Sequence, residues 1–572
     1  MESNAKKEFF DKKSKLLELE KKDIYDYLFY NGYYGERYTY PPIFNVLKYN
    51  ENNLNSNTVN IDHYDLLNIE VRHTETAKRI FSLIHPDIYC QIVDEIVNNW
   101  VEIINHIYND NLKVYSYSFP ITITNKNKID FKKSKTMIYN FLTLEEKIAY
   151  DSYNYKYILI TDISKFYHSI YTHSIAWALY GDREIAYKKR NEDSLANHLD
   201  GLFQKANHKQ TNGIPIGPVV SDIIAEIVLA GVDKSFSENE EIKKMDFISI
   251  RYKDDYRFLV NTREDAEYIL EILEKELQKY NLWVNKEKTN IYKMPAGLER
   301  KWKKEYNTNC VLSNKITMSK FQDAYNYLIE IEEKYPGTAM LSKFFDSLID
   351  KKGNVIFSEF ALMNKIKVIN LLSLLVDYSP RILPQLLSII ELLILHDKSE
   401  EFNNFIKQFI NKMYYHIMIN KKVDIFRFIW VYYFAKKHKI ILEINEELKL
   451  KKEELKKQKE GLEQTIKEFE NTIKELESKG ELENKKEFEN KRDELIELKE
   501  KLIEKKVKLM EEELTQKEKE LEKILKTDPF IQYIDNEKPI FDYKDDRLII
   551  YKDTNYDDFI YNYVTIFGKK IK

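Results

Sequence analysis

The sequence predicts an α+β domain built on an antiparallel sheet, followed by an all-α helical-repeat (HEAT-like) half that carries an antiparallel coiled-coil hairpin. Three observations predict this. Between residues 151 and 300, the runs YKYILIT (155–161), FISIRY (247–252) and YRFLV (256–260) read as strands, with helical segments between them. From about 340 to 442, long apolar stretches keep helical spacing. Over 443–527, an apolar residue returns every seven positions in a background of Glu and Lys.

The elements follow in chain order. Residues 1–60 form an N-terminal extension: a charged helical start, then the aromatic, Pro- and Gly-punctuated loop NGYYGERYTYPPIF (31–44). The α+β domain spans 61–300. Its first part, 61–150, reads as mainly helical, with helical spacing in the stretch after Pro86. A connector covers 301–345. The helical-repeat domain covers 346–442, where KIKVINLLSLLVDYSPRILPQLLSIIELLIL gives an apolar helix, a proline turn and a second apolar helix. Helices this apolar are buried on several sides, so stacked pairs are expected. In 443–527, Leu448, Leu455, Leu462, Phe469 and Leu476 make a heptad series, with Ile466 and Ile473 at the alternate seam positions. Gly480 interrupts it, and Leu495, Leu498, Leu502, Leu509, Leu514 and Leu521 continue beyond. A glycine ends a helix readily, so two antiparallel helices of roughly 50–65 Å are expected. A Tyr-rich segment, 528–572, returns to the helical domain.

Composition narrows the function. With 572 residues the chain is too long for one core. Its net charge of −4 gives no global basic footprint, so any nucleic-acid contact must come from a local patch. The two cysteines, Cys90 and Cys310, make neither a disulfide framework nor a metal-ligand spacing, and a reducing, cytoplasmic setting is expected. The N-terminus is too charged for a signal peptide, and no stretch is long and apolar enough for a membrane span.

Phosphate-loop, zinc-protease and nucleophile-elbow patterns are absent from the sequence, and the eleven histidines do not cluster. Three elements remain. A strand ends at Asp162 in TDISKFYHSI (161–170). A Gly/Pro loop runs into an apolar helix in NGIPIGPVVSDIIAEIVLAGVD (212–233). The hairpin ISIRYKDDYRFLV (248–260) carries Asp254 and Asp255. Three carboxylates brought together repel strongly unless cations sit between them. With Mg2+ or Mn2+ they become an oxygen-ligand site for two hard ions. Two such ions about 3.5–4 Å apart suit nucleotidyl transfer.

At these residues the sequence resembles reverse transcriptases. TDISKFYHSI is similar to their first palm motif, GIPIGPVVSDI to the second, usually G-x-P-Q-G-x-x-x-S-P, and RYKDDYRF to Y-x-D-D. LWVNKEKTNIYKMP (282–295) is similar to the L-x-x-N-x-x-K-T element that follows, and KRIFSLIHP (78–86) to a fingers segment. The resemblance covers roughly 60–300 and implies a right-hand palm and fingers. FYHSIYTHSIAWA and NGIPIGPVVSDIIAEI resemble more narrowly the abortive-infection class of bacterial reverse transcriptases, used in anti-phage defence. The resemblance implies that Asp162, Asp254 and Asp255 are the metal carboxylates, with the Ile163 carbonyl a further ligand. It implies that Tyr167 lies under the sugar and favours dNTPs. Gly217 and Ser221 lie in the nucleotide-binding second motif. It also gives Lys288 to the departing pyrophosphate, and Arg79 or Lys78 to the triphosphate.

One position departs from the pattern: Ile216 stands where the family has Gln, and isoleucine offers no hydrogen bond near the templating pair. The resemblance to the abortive-infection class, which shares such departures, implies addition of dNTPs without a template, primed on a protein tyrosine and leaving the DNA product attached to the protein. None of the 42 tyrosines is singled out as the primer. Two alternatives stand open: a templated enzyme that copies a noncoding RNA, and an inactive polymerase-like scaffold. The coiled-coil arm is expected to brace a homo-oligomer or a neighbouring domain, or to sense a partner.

Overall fold

The computed structural model describes residues 3–35, 39–44, 46, 48–49, 63–74, 77–134, 145–312, 315–350, 353–419, 423–442, most of 457–534, and 548–549. The chain divides into two compact units, Met1–Leu393 with Pro539–Lys572, and Ile394–Lys538. The strands, in chain order, are β1 (Lys48–Tyr49), β2 (Leu67–Arg72), β3 (Lys78–Leu83), β4 (Val114–Ser116), β5 (Tyr157–Asp162), β6 (Ile248–Tyr252), β7 (Asp255–Val260), β8 (Asn290–Lys293) and β9 (Leu548–Ile549).

The first unit is centred on a five-stranded sheet in the order β4-β6-β7-β5-β8. β6 with β7, β7 with β5 and β5 with β8 are antiparallel, as expected, while β4 joins the edge in parallel to β6. Helix Val219–Glu238 packs on one face, where Arg251 of β6 and Tyr256 of β7 both reach its Asp233. This helix is buried along most of its length, which explains why its sequence shows no clean apolar stripe. Asp162, Asp255 and Arg257 stand on the opposite face, because side chains alternate along a strand and Asp162 pairs with Asp255.

The reading of 61–150 as mainly helical needs one correction. It opens with the antiparallel hairpin β2–β3. Leu67, Ile69 and Val71 alternate there with Asn68, Glu70 and Arg72, the period of two of a half-buried strand. The helix after Pro86 is present as Pro86–Asn98. Its proline falls in the first turn, where the missing N–H is not needed, and His85 Nδ1 accepts the Asp87 N–H at 3.3 Å. β1 and β9 pair antiparallel, joining the N-terminal extension to the far end of the chain.

The helix, proline turn and helix expected over 365–395 are Lys365–Tyr378, a 3-10 turn Pro380–Ile382 and Leu383–His396. Every residue from Leu383 to Ile390 is buried. In the second unit, helices Glu400–Ile419 and Ile425–Lys437 pack together, with the Tyr414 and Phe428 rings 5.7 Å apart. Residues 463–475 are helical, followed by Leu482–Leu498 and Lys505–Thr527. Phe469 meets Phe488 at 5.6 Å and Lys499 Nζ meets Glu463 at 2.9 Å, so contacts run between 463–475 and the segment beginning at Leu482 in antiparallel sense. Ile466 and Ile473 are buried. Leu448, Leu455, Leu462, Leu476, Gly480, Leu502 and the side chains of Leu498, Leu509 and Leu514 lie outside the described residues. Among the described residues, no helix is long and apolar enough to cross a membrane.

Candidate active site

The hairpin β6–β7 turns through Lys253 and Asp254, with Tyr252 opposite Asp255. Two-residue turns favour positive φ, and Lys253 adopts it at 51°. Its neighbours hold it there: the Lys253 N–H donates to Ser118 Oγ at 2.8 Å, and its carbonyl accepts from Arg251 Nη1 at 3.2 Å. The Asp254 carbonyl accepts the Ile163 N–H at 3.2 Å, which ties the turn to the end of β5. Asp162 and Asp255 are direct cross-strand neighbours. The three sequence-predicted carboxylates are thus gathered at one end of the central strands β5 and β7, and Ile163 is buried beside them.

Their electrostatics follow from this gathering. Burial and the Asp162 and Asp255 carboxylates push Asp254 up to about 7. Burial also raises Asp162, against the pull of Lys288, whose Nζ lies 3.0 Å from Asp162 Oδ2. Among the described residues, no three His, Cys, Asp or Glu side chains converge into a ready-made cation cluster. The donor set still suits a hard divalent cation because it is all oxygen and mutually repelling, with Lys288 offsetting part of the charge on Asp162.

Tyr167 lies in the short helix Phe166–Ser169, and its hydroxyl donates to Asp222 Oδ1. Lys253 Nζ reaches the same oxygen at 3.0 Å and lies 5.5 Å above the Tyr167 ring. Asp222 therefore fastens the tyrosine to the aspartate-bearing turn. Sequence reasoning missed it, although the signal was available: Asp222 stands where the second motif's pattern has proline.

The Gly/Pro loop is held from two sides. The Ile216 carbonyl accepts from the Ser82 N–H of β3 at 2.8 Å, and the Gly32 carbonyl accepts from the Val219 N–H at 2.8 Å. At Gly217 φ is 129°, and a Cβ on Gly35 would sit 1.5 Å from the Gly217 oxygen. Only glycine permits that approach, so residues 32–35 of the N-terminal extension pack directly on the Gly/Pro loop. Ser221 is fully buried in the first turn of its helix, away from solvent. Arg79 shares a face of β3 with Phe81, whose ring lies against Gly217. Lys78 points to the other face and pairs with Glu70 at 3.1 Å. The hairpin thus presents Arg79, not Lys78, on the side of the loop.

Both faces of the sheet carry buried charge. On the helix face, Arg251 is 1% exposed and bonds Glu226 at 2.9 and 3.2 Å and Asp233 at 2.8 Å. Ser116 and Ser118 donate to Glu226, and Tyr256 donates to Asp233. On the carboxylate face, Arg257 is 4% exposed and its Nε has no hydrogen-bond partner among the described residues. Arg300 lies nearby, 3.9 Å from Asp255 and 3.7 Å from Glu145, and Lys303 bonds Glu145 at 2.8 Å. Burial, with Arg257 adding to it, pushes Arg300 down to about 10.

A family model described as reverse transcriptase (RNA-dependent DNA polymerase) matches residues 85–328. The chain carries a reverse transcriptase domain. That domain contains Asp162, Tyr167, Gly217, Ser221, Asp254, Asp255 and Lys288, while Lys78 and Arg79 precede it. It implies DNA-polymerising nucleotidyl transfer. No curated protein matches the chain. Among solved structures, apo telomerase from Candida tropicalis is similar at 13% identity, over 65% of this chain and 69% of that one, with a TM-score of 0.30. Telomerase from Candida albicans with a fragment of telomeric RNA is similar at 13% identity, over 51% of each chain, with a TM-score of 0.20.

Proposed function

We propose that Asp162, Asp254 and Asp255 carry nucleotidyl transfer from dNTPs, and that synthesis is untemplated and primed on the protein. The single observation that carries the catalytic part is the pairing of Asp162 with Asp255, and the tie of the Asp254 turn to Ile163, beside Tyr167, Lys288 and the Gly/Pro loop. Mg2+ or Mn2+ held by these oxygens supplies stabilisation of charge on the attacking and leaving oxygens. The attacking hydroxyl oxygen gives up its proton to solvent and forms a bond to the α-phosphorus, while the bond from the α-phosphorus to the α–β bridging oxygen breaks and releases pyrophosphate. Lys288 is placed to neutralise the departing charge, and Tyr167, fixed by Asp222, to meet the sugar. The untemplated reading rests on Ile216, which brings only its backbone carbonyl to β3 where the family pattern has a Gln side chain. The anti-phage reading rests on the resemblance of residues 166–178 and 212–227 to the abortive-infection class. The second unit is read as stacked helices bearing a coiled-coil arm for self-association, supported by the Phe469–Phe488 and Glu463–Lys499 contacts.

The test uses nuclease-treated full-length protein, Mg2+ and labelled dNTPs, without added nucleic acid. Label that grows on the protein and survives denaturation is expected, with Asp254→Asn lowering it about a thousandfold. Label that requires RNA supports the templated alternative. No incorporation under any condition leaves the scaffold. The arm is read by sedimentation: Ile466→Asp with Ile473→Asp is expected to lower the oligomeric state, and an unchanged state removes that role.

A further inference from the structure

Arg257 is a buried cation with an unfilled hydrogen-bonding role. Taking a guanidinium out of water costs several kcal/mol unless charge and hydrogen bonds replace the lost hydration. Arg251, on the other face of the same hairpin, receives both. Arg257 does not: its Nε is buried without a partner among the described residues. Nor does its surrounding charge balance. Arg257, Arg300 and Lys303 lie around two carboxylates, Glu145 and Asp255. Glu145 is already bonded by Lys303, and Asp255 is a proposed metal ligand, which leaves the cluster rich in positive charge.

We infer that Arg257 and Arg300 form a phosphate-binding site on the carboxylate face of the sheet. The inference rests on the polymerase reading only for the phosphate's source. A phosphate can be carried by a nucleic-acid strand or by a nucleoside triphosphate. Position favours the strand. Arg257 lies two residues beyond Asp255 on the same face of β7, about 6–7 Å farther from the turn at the rise of a strand. Arg79 of the β2–β3 hairpin stands on the Gly/Pro-loop side instead. A planar guanidinium matches phosphate oxygens in pairs, whereas an ammonium acts as a point charge.

The experiment measures equilibrium binding by the full chain, with no turnover. One arm uses a labelled single-stranded oligodeoxynucleotide in EDTA, and the other a fluorescent dNTP with Ca2+. Arg257→Met is expected to weaken oligonucleotide binding about tenfold or more. The slope of log affinity against log salt should fall by about 0.7, the value for one phosphate contact. dNTP binding should stay within about twofold, and Arg257→Lys should fall between wild type and Arg257→Met. The melting temperature of Arg257→Met without ligand should rise, because a buried cation whose Nε lacks a hydrogen-bond partner among the described residues, and which repels Arg300, has been removed. A loss confined to the dNTP arm also supports the site and assigns its phosphate to the triphosphate. Unchanged binding of both probes overturns it, as does wild-type protein that binds neither. An Arg257→Met chain without a cooperative melt overturns it too, since the guanidinium would then be needed by the fold itself. Incorporation with unaltered binding sinks the phosphate site alone; altered binding without incorporation sinks the polymerase reading alone.

Discussion

The two faces of the sheet treat buried charge in opposite ways. Arg251 and Arg257 are six positions apart in one hairpin, and both are almost fully buried. Arg251 points at helix Val219–Glu238 and meets two carboxylates, themselves bonded by Ser116, Ser118 and Tyr256. The opposite face gathers Asp162 and Asp255, with Asp254 at the adjoining turn raised by burial and by their charge, and Arg257, whose Nε has no hydrogen-bond partner among the described residues. A closed network has no need of a ligand. An open one is costly in isolation and becomes favourable when something of complementary charge arrives. The difference separates the scaffold of the hairpin from its candidate site.

The strongest way to break this comparison is to open the closed side. Glu226→Ala would leave Arg251 buried with one carboxylate and remove the acceptor to which the Ser116 and Ser118 hydroxyls donate. The expected loss is about 3–5 kcal/mol in urea unfolding, the usual cost of breaking a buried pair. Arg251→Met combined with Glu226→Leu should recover part of it by removing both charges. Because Ser118 bonds both Glu226 and the Lys253 N–H, surviving protein should also lose dNTP incorporation. A Glu226→Ala loss below about 1 kcal/mol would mean that the helix face is no better satisfied than the other.

The sequence displayed the open side more clearly than the closed one. Asp162, Asp254 and Asp255 were legible because they sit at strand ends within short motifs whose order is informative. Arg251, Glu226 and Asp233 were not, since a charged residue in a strand or helix reads as solvated until the partner element is known. Gly35 illustrates a further limit. Its requirement comes from the backbone of Gly217, 182 residues away, and long-range approach leaves no local pattern. The β2–β3 hairpin was missed for a nearer reason: its alternation is short and gave way to the stronger helical period after Pro86. Of the heptad series, Ile466, Phe469 and Ile473 fall among the described residues, and there the Phe469–Phe488 and Glu463–Lys499 contacts together run in antiparallel sense.

A second buried charge, outside the candidate site, sharpens the comparison. Glu332 is 4% exposed; Oε1 accepts the Gly337 N–H at 2.9 Å, and Oε2 has no partner among the described residues. Burial raises its carboxyl from 4.5 to about 7. A raised carboxyl favours the protonated folded state. Its contribution is therefore fully present below about pH 4.5 and is lost as pH rises through about 7. Glu332→Gln should leave stability unchanged near pH 4 and raise it by up to about 3 kcal/mol at pH 8. Urea melts at the two pH values measure this, and an equal effect at both would remove the titration argument. Arg257 differs because it lies in a cluster of further cations beside the aspartates.

The smallest effect concerns the link between the faces. Asp222 leaves the buried helix to hold the Tyr167 hydroxyl and Lys253 Nζ on one oxygen. If the Tyr167 ring meets the sugar, its position decides how well a 2′-hydroxyl is refused, and Asp222 sets that position. Tyr167→Ala should admit ribonucleotides. Tyr167→Phe keeps the ring but removes the hydroxyl that Asp222 holds, and should lower the ratio about as much as Asp222→Ala does. Asp222→Ala keeps the ring but frees it, and should lower the dNTP-to-rNTP ratio of kcat/KM by about fivefold, roughly 1 kcal/mol of differential transition-state binding. A general loss of structure would depress both nucleotides together and leave the ratio unmoved. Tyr167→Ala with an unaltered ratio would instead make Tyr167 a core aromatic, and the Asp222 bond a fastening within the scaffold rather than a setting of the site.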